Sequence, residues 1–351
     1  MSGAIAEMGP PSAQPAVQAV ESGSAHLRLA EMVMAIWPAR AIYAAAHLAI
    51  PDHLVAGALP LDDIARLTRT HVPSLRRLLR ALASCGVVTE VSPGCFGLTA
   101  LGDALRTDAL GSARALVMTI AGDWQWASWG NFLHSLRTGQ SGLLKSSGLD
   151  LFSYLAAHPE DRVFFDRAMI GIHGATAAAY DFGAFESIVD VGGGTGTLLK
   201  TILKATRGLR GVLFDLPETA KAAREAILKE GLTSRCTVAE GDFFSAIPEG
   251  HDCYILAHVL HDWTDDHALA ILRNCRRAMA PTGRLLIIEA VLPEGDTPHH
   301  GKVMDLLMLT VTGGVERTAS EFSALLAAAG FALKSVIETG THQNVVEASL
   351  S

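Results

Sequence analysis

Ile188-Val189-Asp190-Val191-Gly192-Gly193-Gly194-Thr195-Gly196 is the stretch whose reading decides the fold. A β-branched apolar run stops at an acid and enters a glycine cluster, and Leu198-Leu199-Lys200-Thr201-Ile202-Leu203 then starts a helix. Glycines let the backbone turn sharply and approach a ligand closely. From residue 186 on, apolar strand patterns alternate with helical ones, the pattern of a parallel α/β sheet. Asp190, Asp215, Asp242, His261 and Glu289 fall at or just after the predicted strand ends. Ligands of such sheets bind beyond the carboxyl ends of the strands, so these positions describe a single site.

Three glycine-loop chemistries compete. A phosphate-binding loop needs Gly-Lys-Ser/Thr, which does not follow Gly196. A dinucleotide loop needs G-x-G-x-x-G, but counting from Gly192 the last position is Thr197, and from Gly194 it is Leu199. The third is D-x-G-x-G-x-G, headed by Asp190 with Gly192, Gly194 and Gly196 inside it. In this the chain resembles the class I S-adenosylmethionine (SAM) methyltransferases, whose cofactor has no phosphate and needs close backbone contact instead. The resemblance implies a SAM cradle of Asp190, Gly192, Gly193, Gly194, Gly196, Asp215, Leu216, Gly241, Asp242 and Phe243. Asp215 can take the ribose hydroxyl protons or cap the helix near Pro217. Asp242 can take the adenine amine proton, with the Phe243 ring on its face, or simply turn the chain at a strand end.

Tyr254-Ile255-Leu256-Ala257 reads as a fourth strand that runs into a short helix at Leu260-His261-Asp262-Trp263. With Phe214-Asp215-Leu216-Pro217, Gly241-Asp242-Phe243 and Gly313-Gly314-Val315-Glu316-Arg317-Thr318, it is similar to small-molecule O-methyltransferases of the caffeate/hydroxyindole type. The likeness runs from about Ala25 through nearly the whole chain. It implies His261 as general base. A phenol near pKa 10 is protonated at neutral pH, whereas an imidazole near about 6.5 is neutral and free to accept its proton. Such a base contributes about 10²–10⁴-fold. A carboxylate that fixes the tautomer helps. Glu289, ending an otherwise apolar strand, and Glu316 match the family pattern, although Glu316 can also be a loop residue paired with Arg317. Asp262 is a third candidate, or a cap for the next helix. One departure stands out: the position four before His261, where many relatives carry a lysine for the SAM carboxylate, is Ala257.

The chain has 351 residues, 49% apolar and 18% charged, with net charge -8 and no basic run. Nucleic-acid binding needs clustered Lys and Arg, so no nucleic-acid partner is expected. The five cysteines include no C-x-x-C pair, which reads as reduced thiols in a cytoplasmic protein. No metal spacing, export signal or apolar run of membrane-spanning length is read.

Four regions are expected: a disordered arm at 1–23, a winged-helix dimerisation domain at 24–110, a helical linker and pocket wall at 111–185, and the SAM-binding catalytic domain at 186–351. In the second, Leu27, Leu29, Met32, Val33, Ile36 and Trp37 form an apolar surface interrupted near Pro38, followed by a helix-turn-helix and a wing around Ser92-Pro93-Gly94. Arg76, Arg77 and Arg80 would suit DNA, but the family resemblance implies dimerisation. Trp124, Phe165, Met169, Asp262, Met304 and Met308 are the substrate-pocket candidates, and their apolar, aromatic character suits a planar aromatic hydroxyl compound. The reading is therefore an α/β, Rossmann-like, homodimeric SAM-dependent O-methyltransferase of secondary metabolism. A non-methylating SAM enzyme of the same fold and a winged-helix DNA-binding regulator are the alternatives.

Overall fold

The computed structural model of the chain describes residues 22–109, 111–170 and 173–351. The arm expected at 1–23 lies outside the described residues up to residue 21. The chain forms two compact units, one through Gly102 and one from Asp103.

The second unit is built on a seven-stranded sheet. Its strands are β1 (Ser187–Val191), β2 (Arg210–Asp215), β3 (Cys236–Glu240), β4 (Cys253–Ala257), β5 (Arg284–Glu289), β6 (Phe331–Glu338) and β7 (Asn344–Leu350). They lie in the order β6-β7-β5-β4-β1-β2-β3. Strands β3, β2, β1, β4 and β5 pair in parallel, while β7 runs antiparallel between β5 and β6. The parallel strands are apolar because helices cover both faces. Val189, Tyr254, Leu256 and Ile287 pack with α3 (Asp265–Ala278) and α5 (Ala319–Ala328). Ile188, Leu213, Ile255 and Ile288 pack with α1 (Thr197–Ala205) and α2 (Pro217–Lys229). Each side chain buried in full contributes about 1.5–3 kcal/mol. The chain leaves β1 toward one side and β4 toward the other, so the crevice at this switch point lies between their carboxyl ends.

Helices succeed one another through 114–170 and again over His173–Ala179. Buried Ser141 ties them to the helix α4 (Gly301–Val311), donating to Val311 O at 2.7 Å and accepting from Leu144 N at 3.2 Å. Arg162 reaches Thr219 on α2 at 3.2 Å.

In the first unit, helices Leu61–Thr68 and Val72–Ser84 precede a hairpin of Val88–Ser92 and Cys95–Leu98, with Leu59–Pro60 on its edge. Gly94, at φ 75°, makes the hairpin turn. Ahead of these lie Ser22–Met34 and Ile36–His47. Pro38 has no N–H for the Met34 carbonyl, which accounts for the interruption at Ala35. Ser24–His47 is long and apolar enough to cross a membrane by length and composition, which differs from the sequence expectation. Arg28, Glu31 and Arg40 are spread thinly through it and obscure the stretch by eye. Leu27, Leu29, Met32, Val33 and Trp37 are each more than 60% exposed within the single chain.

Candidate active site

The loop after β1 is closed by its own backbone. Gly192, Gly194 and Gly196 have φ of 71°, 60° and 76°, a left-handed conformation that disfavours side chains. Gly192 N donates to Phe214 O at 2.8 Å. Gly194 N and Leu216 N donate to the two carboxylate oxygens of Asp215 at 2.8 and 2.7 Å. Asp215 thus holds the glycine loop against the end of β2. It does not cap α2, whose N-cap is Leu216 with Pro217 at the first turn. A Cβ on Gly193 would lie 2.6 Å from the Asp190 carboxyl group, whereas one on Gly194 would meet nothing within 4 Å. Asp190 is buried under the loop with neither carboxyl oxygen in a hydrogen bond of normal geometry. Burial, then the charge of Asp215, push its carboxyl up to about 7, and the Leu199 N–H offsets only part of this. Burial also raises Asp215, against the Gly194 and Leu216 N–H groups.

Asp242 is exposed, and its carboxylate accepts from Phe244 N at 2.8 Å, a strand-end turn. Gly241 is required by close approach, since a Cβ there would stand 2.8 Å from the Phe214 ring. The Phe243, Phe244 and Trp263 rings meet edge to face, with Phe244 and Trp263 centroids 4.8 Å apart. Asn274, on α3, donates to Phe243 O at 2.7 Å and fixes this aromatic wall.

Strand β4 stops at Ala257, and His258 takes a left-handed φ of 55°. The strand does not continue, so the His258 ring is brought to 5.4 Å from that of His261. A short 3-10 turn, Leu260–Asp262, then presents His261. His261 Nδ1 lies 2.9 Å from Glu316 Oε1 and its Nε2 lies 3.9 Å from Asp262 Oδ1. The His261 backbone N donates to Glu289 Oε1 at 3.1 Å. Glu289 therefore holds the base by its backbone, and Glu316 holds the ring. The two acids are brought side by side because Val291–Leu292 and Arg317–Thr318 form a short parallel ladder.

Sequence reading missed two supports. Asp305, on α4, accepts from Glu316 N at 2.8 Å. Arg317 does not pair with Glu316; it bonds to Asp265 at 2.8 Å and to backbone carbonyls around the His261 turn. Asp262 caps no helix: α3 begins after Thr264. The Arg317 contacts to Leu260, Trp263 and Asp265 join segments more than fifty residues apart, and the Asp305 contact bridges the turn after α4, so no local spacing announces them.

Electrostatically the cluster differs from the sequence expectation of a neutral imidazole. Burial works against a charged His261, but the Glu316 hydrogen bond and the charges of Asp262, Glu316 and Glu289 outweigh it and push the imidazole up to about 10. Burial raises Asp262 to about 6, eased by His261 and reinforced by Glu316. Burial raises Glu289 to about 7 despite His261. The acids around His261 therefore favour the protonated ring. Its Nδ1 is engaged by Glu316, which leaves the Nε2 side to meet an acceptor oxygen. Among the described residues no group of three His, Cys, Asp or Glu is arranged to hold a metal.

Trp124 and Met308 are buried in one cluster with Leu143, Leu151, Leu155, Leu307 and Val311, and Phe165 and Met304 pack against it. Met169, one turn beyond Phe165, is half-buried and lies outside this cluster. Met304 and Met308 share α4 with Asp305, so the apolar wall and the support of Glu316 are parts of one helix.

A parallel sheet with its glycine loop at the switch point, an acid on the next strand and a histidine beyond the fourth defines a class I methyltransferase. Residues 129–332 match the model of the O-methyltransferase domain, and residues 30–108 that of the O-methyltransferase dimerisation domain. A phenazine O-methyltransferase of Lysobacter antibioticus is 42% identical over 91% of this chain and 95% of its own. The solved structure of the mitomycin 7-O-methyltransferase MmcR superposes with TM-score 0.89 at 36% identity, covering 94% of this chain and 98% of that one. NcsB1, an O-methyltransferase from neocarzinostatin biosynthesis solved with SAM and 2-hydroxy-5-methyl naphthoic acid, matches with TM-score 0.81 at 37% identity, covering 90% and 96%. The chain belongs to the O-methyltransferase family and is a SAM-dependent enzyme. The loop fits that cofactor: it carries no lysine for phosphate, Gly194 faces open space, and the Asp190 carboxyl oxygens beneath it are unpartnered.

Proposed function

We propose that this enzyme methylates an aromatic hydroxyl of a small secondary metabolite, with the His261 imidazolium paired to the acceptor oxygen once its proton has left. The observation that carries this reading is the 2.9 Å contact of His261 Nδ1 with buried Glu316, which leaves Nε2 for the acceptor. SAM, when bound, supplies an electrophilic methyl group. Asp190, Gly192, Gly193, Gly194, Gly196, Asp215, Leu216, Gly241, Asp242 and Phe243 hold it, with Asp215 toward the ribose and Asp242 and Phe243 toward the adenine. Trp124, Phe165, Met169, Met304 and Met308 line the acceptor site, and Asp262 borders it beside Nε2. His261 would hold the ionised acceptor oxygen in line with the methyl group that bound SAM would supply. The proton lost by the hydroxyl passes to solvent, and the Glu316–His261 pair keeps the oxygen in line.

The chain acts as a homodimer in the cytoplasm, with its winged-helix unit serving assembly and no nucleic acid. The dimerisation-domain match and the exposed apolar stripe from Leu27 to Trp37 support assembly, and five free cysteines agree with a reducing compartment.

The test is a panel of phenols, hydroxyphenazines and hydroxynaphthoates incubated with SAM and read by mass spectrometry. A gain of one methyl on the phenolic oxygen is expected. SAM binding without methyl gain on any of them would overturn the acceptor assignment.

A further inference from the structure

Arg317 is among the largest fully buried side chains, 2% exposed. Its guanidinium makes five hydrogen bonds. Nε and NH2 donate to Asp265 Oδ1 at 3.1 and 2.8 Å, NH1 to Leu260 O and Val315 O, both at 3.2 Å, and NH2 to Trp263 O at 3.1 Å. The carbonyls of Leu260 and Trp263 bracket the His261-Asp262 turn, and Val315 precedes Glu316. Val315 N also donates to His261 O at 2.9 Å. Burying a charge is costly, and an apolar side chain of similar size usually serves stability as well or better. Packing alone therefore gives no reason for an arginine here. What an arginine adds is a rigid planar fork that can bind several oxygens at fixed angles.

We propose that Arg317 is a positioning residue: it clamps the turn that bears His261 to the loop that bears Glu316, and so sets the distance between base and acid. It touches neither acceptor nor cofactor and acts through His261. Its acid partner, Asp265, is 72% exposed, so the clamp is anchored at the surface and works at the site. The inference rests on the proposed role of His261.

The test uses the full chain with Arg317→Lys, Arg317→Gln and Asp265→Asn, each checked for native circular dichroism. Lysine keeps the charge but cannot span three carbonyls and a carboxylate. Arg317→Lys and Arg317→Gln are expected to lower kcat by about 10–100-fold, the scale of an approximately 1 Å misplacement. SAM affinity by calorimetry should stay within about twofold, and the alkaline limb of the pH–rate profile should move to lower pH as the Glu316 contact loosens. Lysine should recover more of kcat than glutamine. Should the Arg317 variants fail to fold, Asp265→Asn decides, with a smaller kcat loss of about 3–10-fold and the same direction of limb movement. Folded variants with unchanged kcat and an unmoved limb, or with SAM affinity lost in parallel, overturn the proposal. Failure of the His261 role itself would show instead as an active His261→Ala enzyme.

Discussion

His261 Nδ1 stands 2.9 Å from Glu316 Oε1, with the Glu316 side chain 3% and the His261 side chain 12% exposed. A buried carboxylate in this position makes the imidazole a far stronger base than one in water. Its proton is kept to about pH 10. Glu316→Gln removes that charge, so the alkaline limb assigned to His261 should move to lower pH by about one unit or more. Turnover should fall about 10–100-fold with the ring orientation no longer fixed. The profile of kcat/KM against pH decides, and a limb that stays in place contradicts the assignment.

With the imidazole pushed up to about 10, the acidic limb should belong to the acceptor. Activity should rise through neutral pH and level off near the ionisation of the phenol. Two acceptors with pKa values of about 7 and about 10 should therefore show limbs separated by about three units. Limbs at one common pH near about 6.5 would restore the neutral imidazole expected from sequence.

Gly314 packs against the backbone of the base. A Cβ there would lie 2.0 Å from His261 O. Backbone on both sides leaves little room to yield, so Gly314→Ala should destabilise the fold by about 1–3 kcal/mol and lower kcat more than it lowers SAM affinity. Thermal unfolding with parallel kinetics checks this; a variant as stable and active as the parent refutes the close approach.

The buried Asp190 carboxyl carries a folded-state pKa of about 7 against an ordinary 3.8. Between these values the folded chain binds more protons than the unfolded one, so this group's contribution to stability falls as pH rises through that window. Asp190→Asn removes the titration. Relative to the parent it should gain on the order of a few kcal/mol at pH 8, and less at pH 5. Urea unfolding midpoints at the two pH values test it, and a gain that does not grow with pH would contradict the buried charge.

The sheet was legible in the sequence because its signals are local. Apolar runs end at Asp190, Asp215 and Glu289, and a glycine loop follows the first. His261 and Glu316 were legible only through motifs, and their mutual contact is made by folding. The clamp role of Arg317 and the support from Asp305 left no trace, since the first depends on carbonyls brought in from a distant segment and the second on a backbone amide across the turn after α4. Expecting a neutral His261 followed from judging the imidazole by its ordinary pKa. A linear sequence does not reveal how many carboxylates will surround it.

The central claim is that His261 serves the acceptor oxygen and not the cofactor. The most direct measurement compares kcat with the SAM dissociation constant, by calorimetry, for His261→Ala. The account predicts a fall in kcat of about 10²–10⁴-fold with SAM binding held within about twofold. A folded variant that loses both together, or that keeps most of its turnover, would contradict it.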